Sequence, residues 1–478
     1  MPARPQAYRP ETAILELGDA FYDPVAAADF PQALLRFRND RAAAEVGLDS
    51  LSDDEWLAHF GRFTPLSGSL QRPLALRYHG HQFRVYNPEI GDGRGFLFAQ
   101  MRDASNRLMD LGTKGSGQTP YSRFGDGRLT LKGGVREVLA TEMLEALGVQ
   151  TSRSFSLIET GEELERNDEP SPTRGAVLVR LSHSHIRIGM FQRLAYFREE
   201  ENLRALTAYV LRHLNDEEPG DDAAVRLLDL VVQRTARLAA SYMAAGFVHG
   251  VLNSDNINVT GESFDYGPWR FNPTWDPAFT AAYFDHAGLY AFGRQPEAIH
   301  WDAMQLAVSL RPISEAEPLI EVLDTFGEHY QRAVSDAILW RLGLTPRDPH
   351  SDRQVVQTIE PVLRGTETSI DQFFFDAFGG TLPDSYGEPW AEARAALVAY
   401  APRADRSHPY WSGEPCSMLI DEVESIWSAI DERDDWAPFH AKIAAIRAMG
   451  GAIQGSGDAQ RRGKDGGGEA LANAAPTG

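Results

Sequence analysis

The hydrophobic pattern of this chain changes near residue 200, and this change constrains the fold class most strongly. Between residues 75 and 190, short apolar runs alternate with glycine-rich turns. The runs Gly95–Gln100 and Ala176–Arg180 are short and flanked by turn signals, so we predict strands there. Beyond residue 200, apolar residues such as Leu203 and Leu206 recur at helical spacing. Strands first and helices afterwards predict an α+β architecture.

Helices are predicted wherever apolar residues keep a helical period. One lies within the strand-rich half, where the pattern runs from Val135 to Leu147 and Gly148 supplies a stop signal. The other predicted helices cover residues 203–214, 225–245, 302–310, 318–341, 386–400, 416–430 and 438–449. The segment from Gly161 to Arg174 is rich in Glu, Asp and Pro, so we predict a solvated loop there.

Composition excludes several classes of partner. The 46 Lys and Arg against 68 Asp and Glu give a net charge of -22, which argues against nucleic acid. No apolar run reaches the roughly 18 to 20 residues of a bilayer-spanning helix, and the first residues lack a secretory apolar core. We therefore expect a cytoplasmic protein with no membrane partner. The single Cys416 allows no internal disulfide, and we expect a buried thiol.

The segment Gly91-Asp92-Gly93-Arg94-Gly95 stands directly before a predicted strand. Without Cβ atoms, its backbone amides can approach a phosphate group closely. A tight turn between two strands is the alternative interpretation. Arg94 favours the phosphate interpretation, because a guanidinium can hold two phosphate oxygens at once.

Lys114 lies in a second glycine-rich segment, 19 residues after Gly95. In kinases a strand lysine at this point contacts the nucleotide phosphates and is oriented by a glutamate from the next helix. We predict Glu137 as that partner, with Glu142 as the alternative. A solvated turn lysine is the competing interpretation.

A third motif supplies candidate metal ligands. The segment His249–Asn256 is followed nine residues later by Asp265-Tyr266-Gly267. The kinase catalytic loop reads H-R-D-x-x-x-x-N and its metal motif reads D-F-G, so Asn256 and Asp265 fall on the two ligand positions. Amide and carboxylate oxygens are suitable ligands for Mg²⁺ held together with phosphates.

The position of the kinase proton acceptor is occupied by Val251, which cannot accept a proton. Asp255, next to Asn256, is the available carboxylate, and we predict that it acts as the base. An Asx-rich turn is the alternative interpretation of residues 253–256. Arg180 and Arg187 lie seven residues apart, and we expect both to clamp terminal phosphates.

These motifs, in this order, predict a protein-kinase-like bilobal fold with a mixed strand and helix nucleotide lobe and a large helical lobe. We divide the chain into an N-terminal extension, a nucleotide-binding lobe, a helical lobe carrying the metal and catalytic loops, and a disordered tail. Their bounds are 1–74, 75–195, 196–450 and 451–478.

Seven strings between about Tyr78 and Leu310 occur together in one order: YHGHQF, IGDGRG, KGSGQTPYSRFGDGR, REVLATE, HSHIRIG, HGVLNSDN and DYGPW. Together they resemble the selenoprotein O family of kinase-fold, pseudokinase-like protein adenylyltransferases. Departures from the expected pattern include Gly133-Gly134 in place of two serines, and Ser254 in place of threonine.

The resemblance implies transfer of AMP from ATP to Ser, Thr or Tyr hydroxyls of proteins, with Mg²⁺ or Mn²⁺ and with the nucleotide reversed relative to kinases. It implies Asp255 as proton acceptor and Asn256 and Asp265 as metal ligands. The implied ATP contacts are Gly91, Gly93, Arg94, Lys114, Asp126, Gly127, Arg180, Arg187 and Asp265. UMP transfer, a conventional phosphotransferase using Asp255, and a catalytically silent ATP-binding regulator remain as alternatives.

Overall fold

The computed structural model describes residues 7–167 and 169–455, and its strands precede most of its helices. The strands are β1 Pro10–Glu11, β2 Tyr22–Pro24, β3 Leu34–Arg38, β4 Leu74–Leu76, β5 Gly80–Gln82, β6 Val85–Asn87, β7 Leu97–Arg102, β8 Leu108–Lys114, β9 Leu129–Thr130, β10 Arg153–Leu164, β11 Thr173–Ser182, β12 Phe247–Val248 and β13 Arg270–Phe271.

The helices in these residues are α1 Asp40–Glu45, α2 Asp53–Phe60, α3 Leu131–Ala146, α4 Ile188–Tyr196, α5 Glu200–Asn215, α6 Ala223–Ala245, α7 Gln295–Leu310, α8 Ala316–Asp324, α9 Phe326–Arg341, α10 Pro349–Gly365, α11 Ile370–Asp376, α12 Ala391–Val398, α13 Ile420–Arg433 and α14 Ala437–Gln454. The predicted mixed α+β class is therefore confirmed.

The main sheet is antiparallel and has nine strands, of which seven follow the order β2-β4-β7-β8-β11-β10-β3. The short strands β1 and β9 pair with β7 and β11. Every residue of β8 is buried, and β8 pairs with β11 so that Lys114 lies opposite Leu178 and Gly112 lies opposite Arg180. The two cationic residues are thus carried by adjacent central strands.

Residues before 74, predicted as an N-terminal extension, contribute β1, β2 and β3 to this sheet. β2 forms one edge by pairing with β4, and β3 forms the other by pairing with β10. Phe37 of β3 lies opposite Leu157, and both side chains are buried.

Helix α3 carries the predicted glutamate partner of Lys114. It begins where the Thr130 side chain accepts a hydrogen bond from the backbone of Gly133, which satisfies a free amide of the first turn. Val135, Val138 and Leu139 are fully buried at helical spacing. Their burial orients the helix, because apolar residues three and four apart share one face.

The sequence located most of the larger elements but missed others. Predicted helices 203–214 and 225–245 correspond to α5 and α6. The single helix predicted over 318–341 is wrong, since α8 ends at Asp324 and α9 begins at Phe326. The loop predicted from Gly161 to Arg174 is also wrong at both ends, because β10 continues to Leu164 and β11 begins at Thr173.

The C-terminal part of the described chain consists of helices. Helix α14 continues to Gln454, so the first residues of the predicted tail 451–478 are helical, and residues 456–478 lie outside the described residues. Cys416 is buried, as expected. In residues 7–167 and 169–455, no helix has both the length and the apolar character needed to cross a bilayer.

Candidate functional site

A cavity of about 960 Å³ lies between the glycine loop (residues 91–95), the end of β8 and the loop after β12. It brings together predicted residues that are far apart in the sequence. The predicted residues that line it are Gly91, Gly93, Arg94, Lys114, Asp126, Gly127, Arg180, Arg187, Asp255, Asn256 and Asp265. Glu137 does not line the cavity, but it contacts Lys114 from α3.

The glycine loop is held by the segment between β8 and β9. The Ser122 hydroxyl donates a 2.5 Å hydrogen bond to the carbonyl of Gly93, and the Thr119 hydroxyl donates to the carbonyl of Asp92. A Cβ atom on Gly91 would lie 2.5 Å from the ring of Tyr121. Since real Cβ contacts essentially never come so close, this loop needs glycine to lie under the tyrosine.

Arg94 and Asp126 lie at the exposed mouth of the cavity. The guanidinium of Arg94 has no ion-pair or hydrogen-bond partner in the part of the chain that the structure describes. Asp126 pairs with Arg166 at 2.8 Å and accepts a hydrogen bond from the backbone of Arg128. Gly127 follows with a φ of +70°, a conformation that favours glycine.

Lys114 is only 5% exposed and contacts two carboxylates. Its ammonium group contacts Glu137 directly and lies 3.1 Å from Asp265 Oδ1. The alternative partner, Glu142, instead pairs with Arg447 at 2.7 Å and with Arg41 at 3.2 Å. The structure therefore places Glu137 beside Lys114 and directs Glu142 away from the cavity.

The carboxylate of Asp265 contacts three buried cationic side chains, of which Lys114 is one. Arg180 donates to its Oδ1 at 3.1 Å, and Arg187 donates to its Oδ2 at 3.0 Å. Burial alone would raise the pKa of Asp265, but the positive charges of Lys114 and the two arginines hold that pKa well below its usual range. Asp265 has a φ of +65°, which is costly for a non-glycine residue and is maintained by these contacts.

Asp255 is another carboxylate that lines the cavity. It is 7% exposed, and its Oδ1 has no hydrogen-bond partner among the described residues. Burial raises the pKa of Asp255 to about 6, although the positive charge of Arg187 opposes the shift. Arg187 also donates a 2.9 Å hydrogen bond to the backbone carbonyl of Asp255. One guanidinium thus joins both acidic residues.

The predicted metal ligands provide oxygen atoms suited to Mg²⁺ or Mn²⁺. Asn256 donates its side-chain amide to the carbonyl of Val251 at 2.9 Å, which leaves its Oδ1 as an acceptor. Asp265 is ionised and has about four lone-pair positions, of which the three cations use three. The amide and carboxylate therefore fit a hard divalent cation whose remaining ligands come from phosphates and water.

The sequence analysis missed two further acids, the partly buried Asp92 and the fully buried Asp302. Asp92 lines it, accepts a hydrogen bond from the Leu76 amide at 3.0 Å, and lies 3.5 Å from Arg187. Its place inside the glycine motif was a usable signal. Asp302 of α7 is fully buried, and neither carboxylate oxygen has a hydrogen-bond partner among the described residues. Burial raises its pKa well above the ordinary value, and nothing in the local sequence indicated this.

Comparison with known proteins gives consistent matches. The family model described as "Protein adenylyltransferase SelO" matches residues 6–398. A protein of Synechocystis sp. named "Protein nucleotidyltransferase YdiU" is 42% identical over 475 residues, covering 92% of this chain and 98% of that protein. Proteins with the same name from Gloeobacter violaceus and Synechococcus elongatus are 43% and 42% identical, covering 91% and 93% of this chain and 94% and 96% of their own. The matched range includes every residue that lines the cavity.

Proposed function

The chain belongs to the SelO family and is a nucleotidyltransferase, and from this premise we propose that it transfers AMP from ATP to Ser, Thr or Tyr hydroxyls of proteins. We propose that the reaction requires Mg²⁺ or Mn²⁺ and releases pyrophosphate. We further propose that the strand-rich and helical parts form the two lobes of a kinase-like fold with ATP between them. The order β8, then α3 carrying Glu137, supports this arrangement.

The convergence of three cations on Asp265 is the observation that carries the proposal. Lys114, Arg180 and Arg187 are nearly completely buried at one end of the cavity, where they would neutralise a strongly negative group. A β,γ-pyrophosphate group has that charge, and arginine forks match its oxygens. With the β- and γ-phosphates bound by these cations inside the cavity, the α-phosphate faces the acceptor hydroxyl.

Asp255 is the group that we propose to accept the proton of that hydroxyl. Its Oδ1 is free of hydrogen bonds in the described part of the chain, and the kinase base position is filled by Val251. The acceptor oxygen forms a bond to the α-phosphorus, the bond from that phosphorus to the bridging oxygen breaks, and pyrophosphate leaves with the electron pair. Arg180 and Arg187 stabilise the charge that develops on the leaving group.

Asn256 and Asp265 would hold the divalent cation. Such a cation, when bound, neutralises phosphate charge and orients the phosphate oxygens. Asp265 also keeps Lys114 and both arginines within reach of the nucleotide, because all three contact its carboxylate.

A radiolabel experiment tests the proposal. Label from [α-³²P]ATP, and not from [γ-³²P]ATP, should appear covalently on protein in the presence of Mg²⁺ or Mn²⁺, with a mass increase of one AMP. Asp265→Asn should abolish the signal, whereas Glu142→Gln, which changes a carboxylate directed away from the cavity, should retain it. Stronger labelling from [α-³²P]UTP would replace AMP by UMP as the transferred group. Exclusive γ-label would establish a phosphotransferase, and tight ATP binding without any label would establish a silent regulator.

A further inference from the structure

The hairpin formed by β5 and β6 holds the loop that carries Asp255. The amide of Phe83 donates to Asn253 Oδ1 at 3.0 Å, and the amide of His81 donates to Ser254 Oγ at 2.7 Å. Tyr290 also donates to Asn253 Oδ1, at 2.8 Å. The side chains of Asn253 and Ser254 therefore accept hydrogen bonds from the hairpin and from Tyr290, and these bonds hold the two residues before Asp255 in place.

Gln192 of α4 completes a closed ring of hydrogen bonds behind this loop. Its Oε1 accepts a 2.7 Å hydrogen bond from the Ser254 hydroxyl, and its Nε2 donates to His81 Nδ1 at 2.7 Å. The backbone amide of His81 donates to the same Ser254 hydroxyl. Burial lowers the pKa of the His81 imidazole, which favours the neutral ring that can accept at Nδ1. Every donor in the ring then meets an acceptor.

The burial of Gln192 indicates that these hydrogen bonds are needed. Gln192 is 4% exposed and follows Met190 and Phe191, which are also buried. A buried amide without partners is destabilising, so an apolar residue would pack here more favourably if only packing mattered. Both polar atoms of the Gln192 side chain instead form hydrogen bonds, the Nε2 atom with His81 on the hairpin and the Oε1 atom with Ser254 on the loop that carries Asp255.

We propose that Gln192 is a positioning residue, which fixes the direction of the Asp255 carboxylate through Ser254. This inference rests on the proposed transfer reaction. The Oδ1 atom of Asp255 has no hydrogen-bond partner of its own among the described residues, so the direction of the carboxylate depends in part on the backbone that Ser254 anchors. Displacement of a reacting group by about 1 Å can reduce rates by roughly a hundredfold, and a loosened loop would have this effect without removing any nucleotide contact.

Gln192→Met tests the hydrogen bonds, because methionine is similar in length and keeps the packing. Its kcat for transfer of α-label should fall roughly ten- to hundredfold, while the KM for ATP stays within about twofold. Ser254→Ala should show the same pattern, and Ser254→Thr, which keeps the hydroxyl, should restore near-normal turnover. The matched control is Gln100→Met, which removes a similarly buried amide bonded to Asp110 on the neighbouring strand, where neither residue lines the cavity. It should lower the melting temperature without lowering kcat.

Hydrogen exchange gives a readout that does not depend on activity. In Gln192→Met, backbone amides of residues 80–82 and 253–256 should exchange faster, while those of β7 and β8 remain as in the wild type. Unchanged kcat together with unchanged exchange would overturn the role of Gln192 and leave the proposed function intact. Wild-type protein without any transfer would instead refute the proposed function, and the exchange data would still decide whether Gln192 holds the loop.

Discussion

Gly80 lies so close to Asp255 that a Cβ atom at position 80 would stand 2.8 Å from both the Cβ and the Oδ1 of the aspartate. Contacts of this length essentially do not occur, so Gly80→Ala must displace the carboxylate or the hairpin. We expect kcat to fall at least tenfold, with ATP affinity by calorimetry unchanged. Gly327→Ala, where no atom lies within 4 Å of the added Cβ, is the control. Normal turnover in Gly80→Ala would show that the position of Asp255 is not critical.

Lys114 and Glu137 should act as one unit. Lys114→Ala and Glu137→Ala should each impair transfer, because the first removes a phosphate contact and the second leaves the ammonium without its partner from α3. The double mutant should lose less than the sum of the single losses, with a coupling of roughly 0.5 to 3 kcal/mol. Steady-state kinetics of the four proteins measures this. Strict additivity would mean that Glu137 does not orient Lys114.

Substitutions of Asp255 and Asp265 should separate turnover from binding. Asp255→Asn should leave the affinity for ATP with Mg²⁺ nearly unchanged and reduce the rate by about 10² to 10⁴, the usual effect of removing a general base. Asp265→Asn and Asn256→Ala should weaken metal-dependent binding itself. Isothermal titration with and without Mg²⁺ distinguishes them. An equal loss of affinity in all three variants would argue against Asp255 as the base.

His79 should make stability fall as the solution becomes acidic. Burial first, and the charge of Arg193 second, lower the pKa of His79 from 6.5 to about 4 in the folded state. Between about pH 6.5 and 4 the imidazole is protonated in the unfolded chain but neutral in the folded chain. The contribution of His79 to the free energy of unfolding is therefore fully present above about pH 6.5 and is lost as the pH falls towards 4. His79→Gln should remove roughly 1 kcal/mol, after allowance for solvent screening, from the change in the free energy of unfolding between pH 6.5 and 4, measured by urea denaturation at each pH. An identical pH slope in both proteins would exclude His79 as the cause.

Local pattern was sufficient for the elements whose residues repeat over several turns. Helices α5 and α6 have apolar residues at helical spacing on a buried face, so their sequence indicated their structure. The division between α8 and α9 was missed because apolar spacing continues across Thr325. The sequence analysis did not predict strand β10, and it assigned residues from Gly161 onward to a loop because Gly161 and the acidic residues after it are typical of a turn, whereas pairing with β11 extends the strand to Leu164.

Residues of the candidate site could be predicted where they belong to a contiguous sequence motif. Residues that only the tertiary fold brings to the site could not. Lys114, Asp255 and Asp265 stand in recognisable segments, and the structure gathers them around one cavity. Gln192, by contrast, lies in helix α4 directly after the apolar Met190 and Phe191, and it contacts Ser254 only through tertiary packing. Asp302 likewise gave no signal, since a single acid on a helix usually faces solvent.

The early strands β2 and β3 determine what the sheet presents to other molecules. They close opposite edges, and both are short, with three and five residues. A chain beginning after Arg38 would leave the twelve-residue strand β10 with a row of unpaired amides and carbonyls along one side. Such an edge is a template for strand addition between copies. Strand β3 therefore covers an edge that would otherwise be open to strand addition, and it does so from a position more than a hundred residues earlier in the chain than the β10 residues with which it pairs.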